Sequence, residues 1–256
     1  MMKLIVRSLL ITMPLLCLSA MFASAQEVPP AADLDFQIEY YFEELDKRIE
    51  DLGASKDFAA DANVLARDGN ALILVALAAG MSSEEGKYKA AAPEIIKAAQ
   101  KVADAKDLAA AKAAVAEVKA AAEKKSSEKL EWKKVAKMAP AMKLAVPRIN
   151  TGMTRYVKNA KTLDRGIPNV AGATAALAAI SQGLAPNFDE TTKPGEKDQW
   201  VKFSQDFRNA ALKANAAVNA YKADNTKFDD FKTALTEMKE NCEHCHAVFT
   251  EGVKIE

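Results

Sequence analysis

Residues Phe228–Phe249 read FDDFKTALTEMKENCEHCHAVF, and within them Phe228, Phe231, Leu235, Met238, Cys242, Cys245 and Phe249 recur at alternating steps of three and four. That rhythm is the seam of an α-helix packed in a bundle. It predicts that Cys242 and Cys245 lie on the buried face. Asn225 or Thr226 is expected to cap the helix start, with Thr226 and Asp229 spaced for a capping box. Upstream, Trp200, Phe203, Phe207, Ala210, Ala214, Ala217 and Tyr221 repeat the rhythm, as do Val170, Ala173, Leu177, Ile180 and Leu184. Each predicts a one-faced helix. A further seam runs through Trp132, Val135, Ala139, Met142, Val146, Ile149, Met153 and Tyr156. Pro140 and Pro147 lie off it and should kink or interrupt the helix, because each removes a backbone N–H and clashes with the preceding turn. Half the composition is apolar and only ten residues are glycine, as helix favours. Four seams over residues 127–256 predict a four-helix bundle.

The first half repeats this plan. Ile38, Tyr41, Leu45, Ile49 and Leu52 form an opening seam, and Tyr88, Ala91, Ile95, Ala98 and Val102 answer the Trp200 helix. A shift of 120 residues lays Ala111–Lys119 on Phe231–Lys239, matching Lys, Ala, Glu and Lys positions, with Ala103-Asp104 on Ala223-Asp224. Asn63-Val64 and Gly80 find counterparts in Asn169-Val170 and Gly183 at smaller shifts. The expected architecture is therefore all-α: two tandem four-helix bundles, residues 26–126 and 127–256.

Residues 1–25 join a short basic region (Lys3, Arg7) to an apolar stretch from Ser8 to Phe22 and then Ala23-Ser24-Ala25. This reads as a cleaved secretory signal peptide, too short in its apolar part to span a membrane. No other long apolar run is evident, so the mature chain is not expected to cross a membrane. Cys17 leaves with the leader, so Cys242 and Cys245 are the cysteines that remain and the chain is no disulfide scaffold. The charge is balanced at 35 basic and 35 acidic residues, which argues against nucleic acid as a partner.

The segment Cys242-Glu243-His244-Cys245-His246 spells C-x-x-C-H. Two thiols three residues apart on a helix can each form a thioether to one porphyrin, and the histidine that follows can ligate its iron from the same side. This predicts one covalent haem c on Cys242 and Cys245, with His246 as proximal ligand. A redox C-x-x-C pair and a zinc site on the two cysteines and a histidine are the alternatives; the first needs a βαβ setting, the second a further ligand elsewhere. The positions matching Cys242, Cys245 and His246 in the first half are Ala122, Lys125 and Ser126, so that copy should carry no haem. His244 should be exposed and inert. Secretion and haem attachment together predict a periplasmic location.

With its motif on the last of four helices, the second half resembles the class II cytochromes c: cytochrome c prime and the six-coordinate cytochrome c556 type. The resemblance covers roughly residues 127–256. In that family the motif commonly continues x-x-F-R/K; here Phe249 keeps the aromatic and Thr250 replaces the base. The family's six-coordinate members take a distal methionine from the first helix of the bundle, often followed by Lys or Arg, and Met142-Lys143 matches that context. Seam methionines are also ordinary core filler. The resemblance implies a one-electron carrier that meets redox partner proteins, or, with an open distal face, a protein that binds nitric oxide or carbon monoxide. An enzyme is disfavoured, because His244 and His246 are the only histidines and none remains as a distal acid or base. Relatives are often homodimers, an interface the tandem copy could supply within one chain.

Overall fold

The computed structural model describes residues 27–193 and 195–249, and these are helical with no strand among them. The leader and Thr250 lie outside the described residues. In the first half the helices are α1 (Ala31–Ala54), α2 (Phe58–Asp61), α3 (Asn63–Met81), α4 (Ala92–Ala103) and α5 (Leu108–Ala122). The second half contains α6 (Met138–Pro140), a π-helical turn (Ala141–Ala145), α7 (Val146–Thr154), α8 (Ala160–Asp164), α9 (Ile167–Leu184), α10 (Lys197–Ala223) and α11 (Phe228–Phe249).

Local chemistry sets the boundaries. Asp57 and Asp107 accept the amide N–H of Ala60 and Ala110 at 3.1 and 2.8 Å, capping α2 and α5. Asn159 and Thr162 form a reciprocal capping box on α8. At the start of α11 the expected cap is corrected. Asp224 accepts from Thr226 N–H at 3.1 Å and leads a short 3-10 turn, Asn225–Lys227, into the helix, so Thr226 is a donor rather than the cap.

The Trp132 seam is also corrected. Residues 127–137 are not helical, and the helix begins only at Met138. This linker is bound to its surroundings instead: Ser126 N–H donates to Ala90 O (2.8 Å), Gln100 Nε2 to Val135 O (3.0 Å) and Lys137 N–H to the Asn70 side chain (2.6 Å). The expected proline interruption takes the form of the π turn, where Val146 N–H reaches back five residues to Ala141 O. Pro147 has no N–H to offer Lys143 O, which removes the competing α-type bond.

Two helices are not one-faced. Every residue of α9 from Val170 to Leu184 is buried, and α3 is buried without a break from Asp68 to Ala79. Both are rich in alanine and glycine, so neighbours approach on all sides. Phe58–Met81 is long and apolar enough to cross a membrane, which corrects the expectation of no further apolar run; 72% of its most apolar window is buried inside the protein.

Helix α3 packs on α1, α4, α9 and the π turn, while α9 packs on α10, α3, α1 and α7. The buried side chains of both halves belong to one continuous apolar cluster. Within the first half, α1–α3, α3–α4, α4–α5 and α5–α1 contacts close a ring, and Lys119 of α5 pairs with Asp46 of α1 at 2.5 Å. In the second half α7–α9, α9–α10 and α10–α11 pack in the same succession. Among the described residues, however, α11 has α10 as its only extensive long-helix neighbour.

Candidate functional site

The site is a stretch of α11 over which burial changes. Phe231, Ala234 and Met238 are buried, Cys242, Cys245 and His246 only half-buried, and Phe249 is buried again. The cysteines lie on the inward face as the seam requires, yet that face is incompletely covered. His244 is exposed, as its position between the cysteines implies.

Both ends of this opening are held. Below it, Met238 is 3% exposed, and its carbonyl lies 3.5 Å from the Cys242 thiol. Above it, Phe249 meets Trp200 and Phe203 of α10 edge to face, at ring separations of 5.5 and 6.2 Å. The Thr192 hydroxyl donates to Phe249 O at 2.5 Å, and the Trp200 indole donates to Ala185 O at 3.1 Å. The clasp of Phe249 by Trp200 and Phe203 is not legible from sequence: the three aromatics sit on their seams, but nothing in the spacing says which would meet.

Cys242 and Cys245 are free thiols, not a disulfide. Burial, with minor help from Cys245 and Glu243, pushes the Cys242 thiol up to about 12; burial alone raises Cys245 to about 11. A thiol–disulfide centre requires the opposite, because exchange proceeds through the thiolate and reactive cysteines sit where it is stabilised. Burial also lowers the His246 pKa, which favours neutral imidazole, the form that ligates a metal. Its Nδ1 is out of solvent contact. Among the described residues no group of three or more His, Cys, Asp or Glu converges as a metal site.

These residues fit a covalently held, apolar, planar group. Two neutral thiols one turn apart and a neutral imidazole occupy a part of α11 against which, among the described residues, no second long helix packs extensively. The distal candidate is placed less decisively. Met142 lies in the π turn, half-buried, in a segment whose neighbours are α3 and α7. Ala122 ends α5, and Lys125 and Ser126 lie beyond it in the linker, so the first half has no helix where the second carries its motif. Comparison with protein-family models, with curated proteins and with solved structures gives no match for this chain.

Proposed function

We propose that the chain is a periplasmic c-type cytochrome with one covalent haem on Cys242 and Cys245, acting in one-electron transfer. The observation that carries the reading is the C-x-x-C-H segment on an incompletely covered stretch of α11, between buried Met238 and buried Phe249. Haem bound there supplies a one-electron iron couple. The chain supplies the rest. Each cysteine S–H adds across one vinyl double bond, sulfur joining one carbon and hydrogen the other, so no oxidant is consumed. The His246 imidazole would ligate the haem iron. The Trp200–Phe249–Phe203 cluster fixes the helix end just beyond it and keeps water from that edge.

The same reading takes the chain as two tandem four-helix bundles, divided near residue 126, the second of the cytochrome c prime type. Two features support it. α5 and α11 start at positions related by the 120-residue shift, and Glu117 and Glu237, also so related, each pair with a lysine of the preceding helix, Lys101 and Lys213. Among the described residues, the second half shows no extensive α11–α7 packing to match the α5–α1 contact that closes the ring in the first half.

Met142 is the proposed distal ligand. Packing of the π turn on α3 favours a second reading, in which Met142 fills the core and the distal face binds nitric oxide or carbon monoxide.

Absorption spectra of the oxidised and reduced protein, with and without carbon monoxide, separate the two. A low-spin spectrum indifferent to the gas and lost in Met142→Ala is expected; a high-spin ferrous form that binds the gas would overturn the methionine ligand. In Cys242→Ala/Cys245→Ala no haem should survive denaturation and extraction. Covalent haem retained by that variant would sink the whole assignment.

A further inference from the structure

We propose that the cleft where the two halves meet is a binding site for a small oxyanion of carboxylate size, independent of whatever α11 carries. The cleft lies between α1, α3, α7 and α9, has a volume of about 50 Å³, and is walled by Tyr40, Tyr41, Asp68, Arg148, Arg155 and Asn169 among others. That volume is several times the roughly 10–15 Å³ that admits one water molecule.

Its most telling group is Tyr41. The side chain is 3% exposed, and its hydroxyl has no hydrogen-bond partner. Gln37, one turn earlier on α1, interacts with the phenol without completing a hydrogen bond of normal geometry. A buried hydroxyl in that state requires a reason. Asp68 does not accept its proton; the carboxylate is engaged by arginines instead. Oδ1 accepts from Arg67 Nε at 2.6 Å, and Oδ2 from Arg67 Nη2 at 2.7 Å and Arg48 Nε at 3.2 Å.

The surrounding charge has the opposite sign to a carboxylate. Arg148 lines the cleft from α7, and among the described residues its carboxylate neighbour is Glu44, at 3.6 Å. Glu44 is itself held by Arg48 at 2.6 Å. Arg155 is laid over the Tyr156 ring, 4.7 Å from its centroid, and has no carboxylate partner among the described residues. Two guanidinium groups, Arg148 and Arg155, thus line the cleft with one carboxylate, Asp68, which Arg67 and Arg48 already pair, beside one unspent phenolic donor. Guanidinium forks and a phenol O–H are donors suited to a planar oxyanion. The exposed arginines form the mouth, and the phenol forms the floor.

The test uses the full chain with sodium formate as probe and sodium chloride at matched ionic strength as control. Calorimetric titration should show saturable formate binding, and the thermal midpoint should rise with formate but not with chloride. Tyr41→Phe and Arg155→Gln should each weaken formate binding by about tenfold or more, the scale of one lost hydrogen bond to a charged group. Absence of saturable binding, equal protection by chloride, or unchanged affinity in either variant would overturn the proposal. Should Tyr41→Phe fail to fold, the exposed Arg155→Gln decides alone.

Discussion

The two half-buried cysteines of α11 are held as neutral thiols. Desolvation disfavours the thiolate, so the folded, haem-free chain holds both pKa values above the ordinary thiol value of about 8.5. The sign of the linkage follows: the stabilisation is complete below pH ~8.5 and is lost as pH rises through the folded values. Iodoacetamide should therefore modify Cys242 and Cys245 of the haem-free chain slowly at pH 7 to 8 and faster only well above pH 9. Modification at pH 7.5 as fast as in urea would contradict the burial. At the opposite extreme of size stands Gly80 on α3. A Cβ there would meet the Leu130 side chain of the linker and would come within 2.8 Å of the Ala92 Cβ on α4. Leu130 can turn away, but Ala92 can move only with its helix. Gly80→Ala should cost about 1–3 kcal/mol of strain, against roughly 0.5–1 kcal/mol gained in helix propensity, and a lower urea midpoint checks the net loss.

Among the elements, the π turn Ala141–Ala145 has the clearest cause and the most direct consequence. Pro147 withholds the N–H that Lys143 O would accept in an α-helix, so the chain closes Val146 N–H onto Ala141 O instead. The wider turn sets the rotation of Met142 relative to Ile149 and Met153, which are buried further along. In Pro147→Ala the α-type bond can return, and Met142 then rotates away from its present neighbours. Peptide mapping after mild peroxide treatment should find Met142 oxidised faster than in the parent chain while Met153 is unchanged. Equal Met142 oxidation would show that the π turn does not set its position. The periodicity of residues 132–156 announced the interruption but not its form, because the choice between a kink and a π turn depends on what α3 offers as a packing surface. The helix starts later than its seam for a related reason: the Asn70 side chain accepts from Lys137 N–H and Gln100 donates to Val135 O, which engages the preceding backbone outside a helix.

At the scale of the whole molecule, α1 packs on α9, the π turn packs on α3, and α3 packs on α9. The first half thus offers α1 and α3 to the second, and the second offers the π turn and α9 to the first. Buried Asn215 adds a polar tie, donating to Asp33 of α1 at 2.9 Å and to Ala171 O at 2.9 Å, and Asn219 donates to Asp33 at 2.8 Å. With the core continuous across the junction, unfolding in urea should be a single transition, with near-UV and far-UV circular dichroism coincident. Two separated transitions would show the halves to be independent. Residues 27–126 expressed alone would expose the flank of α3 that α9 covers and should self-associate on gel filtration, whereas the full chain should elute as a monomer.

Helical seams and the C-x-x-C-H spacing are properties of neighbouring residues, so the sequence by itself determined the all-α class, the helices around Trp200 and Phe228, and the face on which Cys242 and Cys245 lie. Burial on every side of α3 and α9 was beyond it: alanine-rich stretches show little periodicity, and part of what covers them comes from the other half of the chain. The same holds for the clasp on Phe249, the unspent hydroxyl of Tyr41 and the half-covered face of α11. Each depends on which distant helix arrives or fails to arrive, and only tertiary packing decides that.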